Sequence, residues 1–303
     1  MTLLALKIDV DTYRGTRAGV PRLVECLKRH GAGATFLFSL GPDHTGRAIF
    51  QIFRPGFFSK VSRTSVVEHY GLQTLLYGTL LPGPHIGRRC AGEMRAVRDA
   101  GFEVGIHTYD HRTWQDRVAK RDADWTRRHM KLAADAFREV FGVAAHAHGA
   151  AGWQMNDAAY VFEEELGLAY AADGRGTHPF YPVVAGRRLP VPQVPGTLPT
   201  LDELVGSDGL TPDNVHAHLL QLTAAPPPAG HVFTLHAELE GMKWMPAFER
   251  LLDGWKAQGY RLVSLADSLA AQDPSRLPAH TVTMGEIPGR SGRVALQGPA
   301  VPG

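Results

Sequence analysis

The chain has 303 residues, which lies within the size range of a single α/β barrel, so length does not demand two domains. Lysine and arginine number 32 against 30 aspartates and glutamates, and this near balance gives no general reason to expect nucleic acid as a partner. The two cysteines, Cys26 and Cys90, lie in no CxxC pattern, which fits a reducing compartment and disfavours a disulfide scaffold.

The N-terminal segment is apolar, but acidic residues arrive too early for a secretion signal, and it is typical of a first strand. No apolar run reaches 18 residues, so we expect no membrane-spanning helix and a cytoplasmic location.

Buried strands alternate with helical patterns along most of the chain. The predicted strands cover residues 1–9, 34–40, 101–106, 143–148, 168–172, 231–235 and 260–264. The predicted helices cover residues 20–30, 89–100, 125–141, 155–166, 211–222 and 247–257. Strands that are each followed by a helix favour an α/β fold with an incomplete or distorted (β/α) barrel. We expect one catalytic domain over residues 1–270 and a Pro/Gly-rich tail over residues 271–303 that is partly disordered or wraps the domain.

Residues 47–87 interrupt the strand and helix pattern. Their first part combines basic residues with phenylalanines and contains no acidic residue, and residues 71–87 carry no Lys, Arg, Asp or Glu. The basic residues are Arg47, Arg54, Lys60 and Arg63. Such an amphipathic insertion suits contact with an anionic membrane surface, and equally suits a segment whose apolar side packs in the core.

Polar residues stand where the predicted strands end, which is where barrel enzymes place their catalytic groups. These residues are Asp9, Asp11, His107, His111, His148, Asp173 and His236. Two imidazoles four positions apart after a strand can share one divalent cation, and a carboxylate of the first strand is a candidate third ligand. Such a set leaves coordination positions open, as a catalytic metal requires, and suits Zn, Mn, Co or Fe alike.

The segments around Asp9 and Asp11, His107 and His111, and His236 resemble, in this order, the first, second and fifth motifs of the polysaccharide deacetylase family. The resemblance implies a metal-dependent amidohydrolase on a distorted (β/α)7 barrel. It makes Asp11, His107 and His111 the metal ligands, Asp9 the general base, His236 the acid, and Asp173 the carboxylate that orients this acid. Tyr109, Trp153 and Arg14 are predicted substrate contacts.

The chain departs from the family pattern in two places. Val10 separates two aspartates that are usually adjacent, so the base and ligand roles of Asp9 and Asp11 could be exchanged. The third motif usually holds an arginine that pairs with the base, whereas the segment after His148 has none. Arg175 is a hypothetical replacement for it.

Further stretches are similar to one branch of the family, which hydrolyses the formamide of a formamido-arabinose linked to undecaprenyl phosphate. They include Ala150-Ala151-Gly152-Trp153 and Thr234-Leu235-His236-Ala237-Glu238. The resemblance implies that the lipid-linked sugar is the partner, that the product serves lipid A modification, and that the enzyme associates peripherally with the cytoplasmic leaflet. Because such a substrate lies in the membrane, the resemblance also favours membrane contact as the role of residues 47–87.

Three alternatives stay open. A deacetylase of N-acetylated glycans would use the same metal site, and a non-haem Fe(II) oxygenase also uses two histidines and one carboxylate. A barrel that binds carbohydrate or lipid without catalysis is the non-enzymatic alternative. A zincin protease is disfavoured because Thr108 stands where its motif requires glutamate.

Overall fold

The structure, a computed structural model, describes residues 2–47, 74 and 76–302. The strands are β1 (Leu3–Val10), β2 (Thr35–Ser39), β3 (Glu103–Thr108), β4 (Ala147–His148), β5 (Tyr170–Ala171), β6 (Tyr181–Val184), β7 (Arg187–Arg188), β8 (His231–His236), β9 (Arg261–Val263), β10 (Ala279–Gly285) and β11 (Val294–Val301). The helices are α1 (Val20–His30), α2 (Ile86–Arg89), α3 (Ala91–Asp99), α4 (His111–Arg117), α5 (Ala123–Phe141), α6 (Asp157–Glu165), α7 (Leu201–Leu204), α8 (Val215–Leu222), α9 (Met245–Ala257) and α10 (Leu265–Ala270).

Seven parallel strands form the main sheet, in the order β5-β4-β3-β2-β1-β8 with β9 also paired to β1. The sheet curls into a half-barrel, which confirms the predicted α/β class and the distorted barrel that the resemblance implies. The carboxyl ends of β1, β3, β4 and β8 meet at one edge because these strands run parallel. Asp9 lies directly opposite His236 in the register, and Ile106 lies opposite His148.

Helix α1 shows how the apolar pattern positions the first strand. Its buried face contains Leu23 and Leu27, which pack in the same core as the apolar residues of β1 and β2. The helix ends at Gly31, whose φ of 60° is left-handed and suits glycine. Each fully buried leucine contributes on the order of 1.5–3 kcal/mol relative to an exposed one. The helix over residues 20–30 is confirmed to the residue.

The C-terminal residues are built into the fold. Strands β10 and β11 pair antiparallel, and β10 also pairs with β6 in a second sheet of the order β11-β10-β6-β7. Residues 279–301 therefore form a hairpin that joins β6 in this second sheet, and the domain boundary at residue 270 stays a prediction.

Most of the insertion at residues 47–87 lies outside the described residues, including Arg54, Lys60 and Arg63. Its described end forms a turn in which the amide of Gly78 donates to the carbonyl of Leu81 over 2.8 Å. Leu80 is 81 % exposed and Leu81 is 40 % exposed. Among the helices described, none is both long enough and apolar enough to cross a membrane.

Candidate metal centre

Three side chains converge at the carboxyl edge of the sheet. Nε2 of His107 lies 3.2 Å from Oδ1 of Asp11, and Nε2 of His111 lies 3.4 Å from Oδ2 of the same carboxylate. One donor atom from each residue can be chosen so that all three lie within 4.8 Å of one another. Two imidazole nitrogens and a carboxylate oxygen at these separations can bind one cation.

His107 is aimed by an irregularity of β3 and by one hydrogen bond. Phe38 pairs with Ile106 and Ser39 pairs with Thr108, so His107 is an extra residue in the register, as in a β-bulge. Nδ1 of His107 lies 2.6 Å from the carbonyl oxygen of Gly149 and donates to it. The proton on Nδ1 leaves a lone pair on Nε2, which is the atom that faces Asp11.

His111 is the first residue of α4, and the helix cap holds it there. Asp110 accepts a hydrogen bond from the amide of Thr113 over 3.0 Å, a standard N-cap. The second oxygen of Asp110 lies 2.7 Å from Nδ1 of His44. Burial lowers the pKa of His111 to about 4, in spite of the opposing charge of Asp11. A neutral imidazole is the form that binds a metal.

Hydrogen bonds from the backbone to Glu238 fix the position of Asp11. Glu238 accepts hydrogen bonds from the amides of Asp11 and Thr12 over 3.1 and 2.7 Å. A Cβ at position 15 would lie 1.9 Å from an oxygen of Glu238, so Gly15 makes this approach possible. Burial alone would raise the pKa of Asp11, but the imidazoles of His111 and His107, which face its two oxygens, hold it far below its usual range. Oδ1 of Asp11 is buried without a hydrogen-bond partner, as a metal-binding oxygen would be. This donor set fits a divalent cation.

Asp9 is paired with a cation that the sequence analysis missed. Nζ of Lys7 lies 2.6 Å from both carboxylate oxygens of Asp9, and Lys7 is fully buried. A Cβ at position 149 would lie 3.0 Å from Cε of Lys7 and 2.4 Å from Leu37, so glycine leaves the space that Lys7 occupies. Residues i and i+2 of a strand share a face, so the spacing of Lys7 and Asp9 in the sequence could have indicated this ion pair.

Arg175 is therefore not the partner of Asp9, and the hypothesis that it replaces the third-motif arginine is wrong. Its guanidinium donates to both oxygens of Glu203 over 2.9 Å and to the carbonyl of Leu198 over 2.7 Å. Trp153 lies beside Arg175, with 4.9 Å between Cζ and the ring centroid. The indole is only 2 % exposed, which argues against the expected direct contact of Trp153 with substrate.

His236 lies at the end of β8, and a carboxylate of α7 faces it. Oδ1 of Asp202 is 3.7 Å from Nδ1 of His236, and both atoms are buried without a hydrogen bond. Burial opposes the charged imidazolium, but the carboxylates of Asp202, Asp11, Glu240 and Asp9, of which Asp202 acts most strongly, together raise the pKa of His236 to about 9. His236 is thus protonated at neutral pH, as an acid must be.

Asp173 was expected to orient His236, and the structure contradicts this. Its carboxylate lies 2.8 Å from Nδ1 of His148 and accepts from the amide of Ala150 over 2.8 Å. Glu163 lies 2.9 Å from the same nitrogen. Burial opposes the charge on His148, but Asp173 raises its pKa to about 10. The cluster forms a buried support beneath the segment that bears Gly149, which receives the hydrogen bond of His107.

The remaining predicted substrate contacts, Tyr109 and Arg14, are close to the metal donors in sequence. Tyr109 stands between the two histidines in sequence, is half-buried, and its hydroxyl is 3.5 Å from Nε2 of His85. Arg14 is half-buried in the turn after Asp11. Both positions are consistent with substrate contacts.

Comparison with known proteins agrees with this geometry. Residues 4–171 match the family model described as polysaccharide deacetylase. The chain belongs to the polysaccharide deacetylase family. Family members are generally metal-dependent, and the grouped donors Asp11, His107 and His111 fit that property.

Two curated members of the family are similar over nearly their whole length. Both are named "Probable 4-deoxy-4-formamido-L-arabinose-phosphoundecaprenol deformylase ArnD". The protein from Shewanella sediminis is 36 % identical, over 98 % of this chain and 95 % of its own. The protein from Wigglesworthia glossinidia brevipalpis is 30 % identical, over 93 % of this chain and 98 % of its own.

A solved structure shares the fold. It is titled "putative polysaccharide deacetylase" and comes from Mycobacterium smegmatis. It superposes with a TM-score of 0.60 at 16 % identity, covering 94 % of this chain and 96 % of its own.

The pairing of Asp202 with His236 makes a testable prediction. In Asp202→Asn the pKa of His236 should fall from about 9 towards its ordinary value, because the neutral amide no longer offsets burial. An acid acts only while protonated, so the upper pH limit of turnover should fall by the same amount. Titration of the His236 imidazole by NMR, together with a pH profile of kcat, measures both quantities. The exposed Asp208→Asn is the matched control, and an unchanged His236 pKa in Asp202→Asn would contradict the pairing.

Proposed function

We propose that this protein hydrolyses the formamide of 4-deoxy-4-formamido-L-arabinose linked to undecaprenyl phosphate, releasing formate and the amino-arabinose lipid. The observation that carries the proposal is the convergence of Asp11, His107 and His111, flanked by Asp9 on β1 and His236 on β8. Full-length similarity to two proteins named as deformylases supports the choice of substrate.

In this proposal the ligands are Asp11, His107 and His111, and a divalent cation there would polarise the formyl oxygen and make a water molecule more acidic. Asp9 accepts a proton as water adds to the formyl carbon, which gives a tetrahedral oxyanion. His236 donates its proton to the nitrogen as the C–N bond breaks. The amino sugar stays on its lipid carrier, and the formyl group leaves as formate.

Lys7 is proposed as the positioning residue for the base. Its ammonium contacts both oxygens of Asp9 equally and holds the carboxylate in one orientation. It thereby does from within β1 what the third-motif arginine does in the family pattern. The charge of Lys7 also offsets the cost of burying Asp9, since a buried carboxylate without a partner is strongly unfavourable.

A substrate with an undecaprenyl chain stays in the bilayer, so the enzyme has to reach the membrane surface. The exposed side chains of Leu80 and Leu81 at the described end of the insertion support contact with the cytoplasmic leaflet. Replacing both leucines by serine should lower turnover of substrate carried in vesicles and leave turnover in detergent unchanged. Equal turnover in vesicles would argue against this contact.

The direct test of the proposed reaction is release of formate. Protein loaded with Mn²⁺, Co²⁺ or Zn²⁺ should release one formate per formamido-arabinose lipid consumed, and chelation should abolish the release. The acetamido analogue of the same lipid is the matched control substrate. Release of acetate alone would support a glycan-type deacetylase, and release of neither product would support a binding protein without catalysis.

Variants at position 7 test the positioning residue. Lys7→Met should lower kcat by about 10–100-fold, the usual effect of removing a group that orients a catalytic side chain. Lys7→Arg keeps the charge beside Asp9 and should retain most of the activity. Metal content, measured by mass spectrometry on folded protein, should be equal in all three. A Lys7→Met enzyme with unchanged kcat would overturn the role of Lys7.

A further inference from the structure

The C-terminal hairpin, β10 and β11, packs against the segment that contains Arg175. The amide of Arg175 donates to the carbonyl of Ala295 over 2.9 Å, and the amide of Gln297 donates to the carbonyl of Arg175 over 2.8 Å. A Cβ at Gly174 would lie 2.8 Å from the same Ala295 oxygen. These contacts fasten β11 to the segment that follows β5. The hairpin lies outside residues 4–171, the part that matches the family model.

The turn of this hairpin packs on α7, which bears Asp202 and Glu203. A Cβ at position 289 would lie 2.2 Å from the backbone oxygen of Glu203, and Gly289 has a φ of +77°. Glycine is required here for both the close approach and the left-handed backbone. The approach of Gly289 places the next residue, Arg290, beside the carboxylates of α7.

Two arginines flank Trp153, and their hydrogen bonding differs. Cζ of Arg175 lies 4.9 Å from the ring centroid and Cζ of Arg290 lies 4.4 Å from it. The guanidinium of Arg175 makes four hydrogen bonds, two to Glu203 and two to backbone carbonyls. Within the described part of the chain, the Arg290 guanidinium makes no hydrogen bond, and its ion pair with Glu203 spans 3.8 Å.

Charge pairing leaves Arg290 as the surplus cation of this corner. Arg175 and Glu203 balance each other in a bidentate pair, and Asp202 faces the protonated His236. The side chain of Arg290 is 17 % exposed, so its N–H groups can be reached from solvent. The Arg290 guanidinium lies over the Trp153 indole, and its planar fork of N–H donors suits the oxygens of a phosphate.

A cleft begins at Gly289, the residue before Arg290. A cleft of about 700 Å³ runs between α7 and the hairpin turn, lined by Arg175 and Glu203 on one side and by Ile287 and Gly289 on the other. The charge of Arg290 acts on Asp202, which precedes the cleft residue Glu203 in α7 and faces the acid His236.

We propose that Arg290 binds the phosphodiester that joins the sugar to its lipid, which makes the C-terminal hairpin part of the substrate site. This inference rests on the proposed function, since it names the charged group that the substrate presents across the sugar ring from the scissile amide. The hairpin then selects phosphate-linked sugars over neutral glycans, because a neutral substrate offers the guanidinium no anion to bind.

The test compares two substrates of the same sugar. One is the formamido-arabinose phosphodiester of a short isoprenyl chain, and the other is its neutral methyl glycoside. The kcat/KM for the phosphodiester divided by that for the methyl glycoside should be about 10–100-fold lower in Arg290→Gln than in the unaltered protein. This is the usual effect of losing a hydrogen bond to a charged group. The lower ratio should arise from a higher KM for the phosphodiester. Arg276→Gln, an exposed arginine in the 3₁₀ turn before the hairpin, should leave the ratio unchanged.

An equal loss on both substrates would overturn the inference, because Arg290 would then act through Asp202 on the acid. An unchanged ratio would overturn it as well. Vesicles of phosphatidylglycerol separate a second source of phosphate: Arg290→Gln should bind them as the unaltered protein does, and weaker vesicle binding with an unchanged ratio would assign Arg290 to lipid head groups instead.

A binding measurement keeps the inference separate from the proposed reaction. Geranyl phosphate, titrated calorimetrically into the metal-loaded protein, should bind at least about 10-fold more weakly to Arg290→Gln, as expected when one charged hydrogen bond is lost. If the unaltered protein releases no formate, the proposed function is wrong. The difference in affinity for geranyl phosphate between the two proteins still tests whether Arg290 binds phosphate. Equal affinity in the two proteins would contradict phosphate binding.

Discussion

The site depends on holding one carboxylate and two imidazoles within 4.8 Å of one another in a largely buried corner. Each group is fixed by a different part of the chain: His107 by the carbonyl of Gly149, His111 by the N-cap of α4, and Asp11 by the hydrogen bonds of its backbone to Glu238. Because the fold already holds these donors in position, little of the free energy of cation binding is lost in ordering them.

Paired charges surround this corner and determine which side chains can act. Lys7 neutralises Asp9, Asp173 neutralises His148, and Glu203 neutralises Arg175. Removing one member of such a buried pair commonly costs about 3–5 kcal/mol, so the pairs fix geometry more than they add stability. His236 and Arg290 are held less tightly, at 3.7 and 3.8 Å from carboxylates, which suits groups that meet the substrate.

Local patterns in the sequence predicted most of the main sheet and the ends of its strands, because apolar periodicity and glycine caps act over a few residues. The contacts of the site required the fold. Asp173 ends its strand as the motif suggests, yet the register of β4 and β5 brings it to His148, and Asp202 from a one-turn helix faces His236 instead. Lys7 looked like an ordinary polar residue of a strand. The composition of the tail concealed a hairpin, since its pairing with β6 is remote in sequence.

The most direct measurement of the central claim is anomalous scattering at the cobalt edge from crystals soaked with Co²⁺. One strong site is expected, about 2.0–2.2 Å from Nε2 of His107, Nε2 of His111 and an oxygen of Asp11, the distances usual for metal sites of this kind. Asp11→Asn crystals should lose this site. Cobalt found instead among Cys26, His30 and Glu249, the other partly exposed group of possible ligands, or retained in full by Asp11→Asn, would contradict the account.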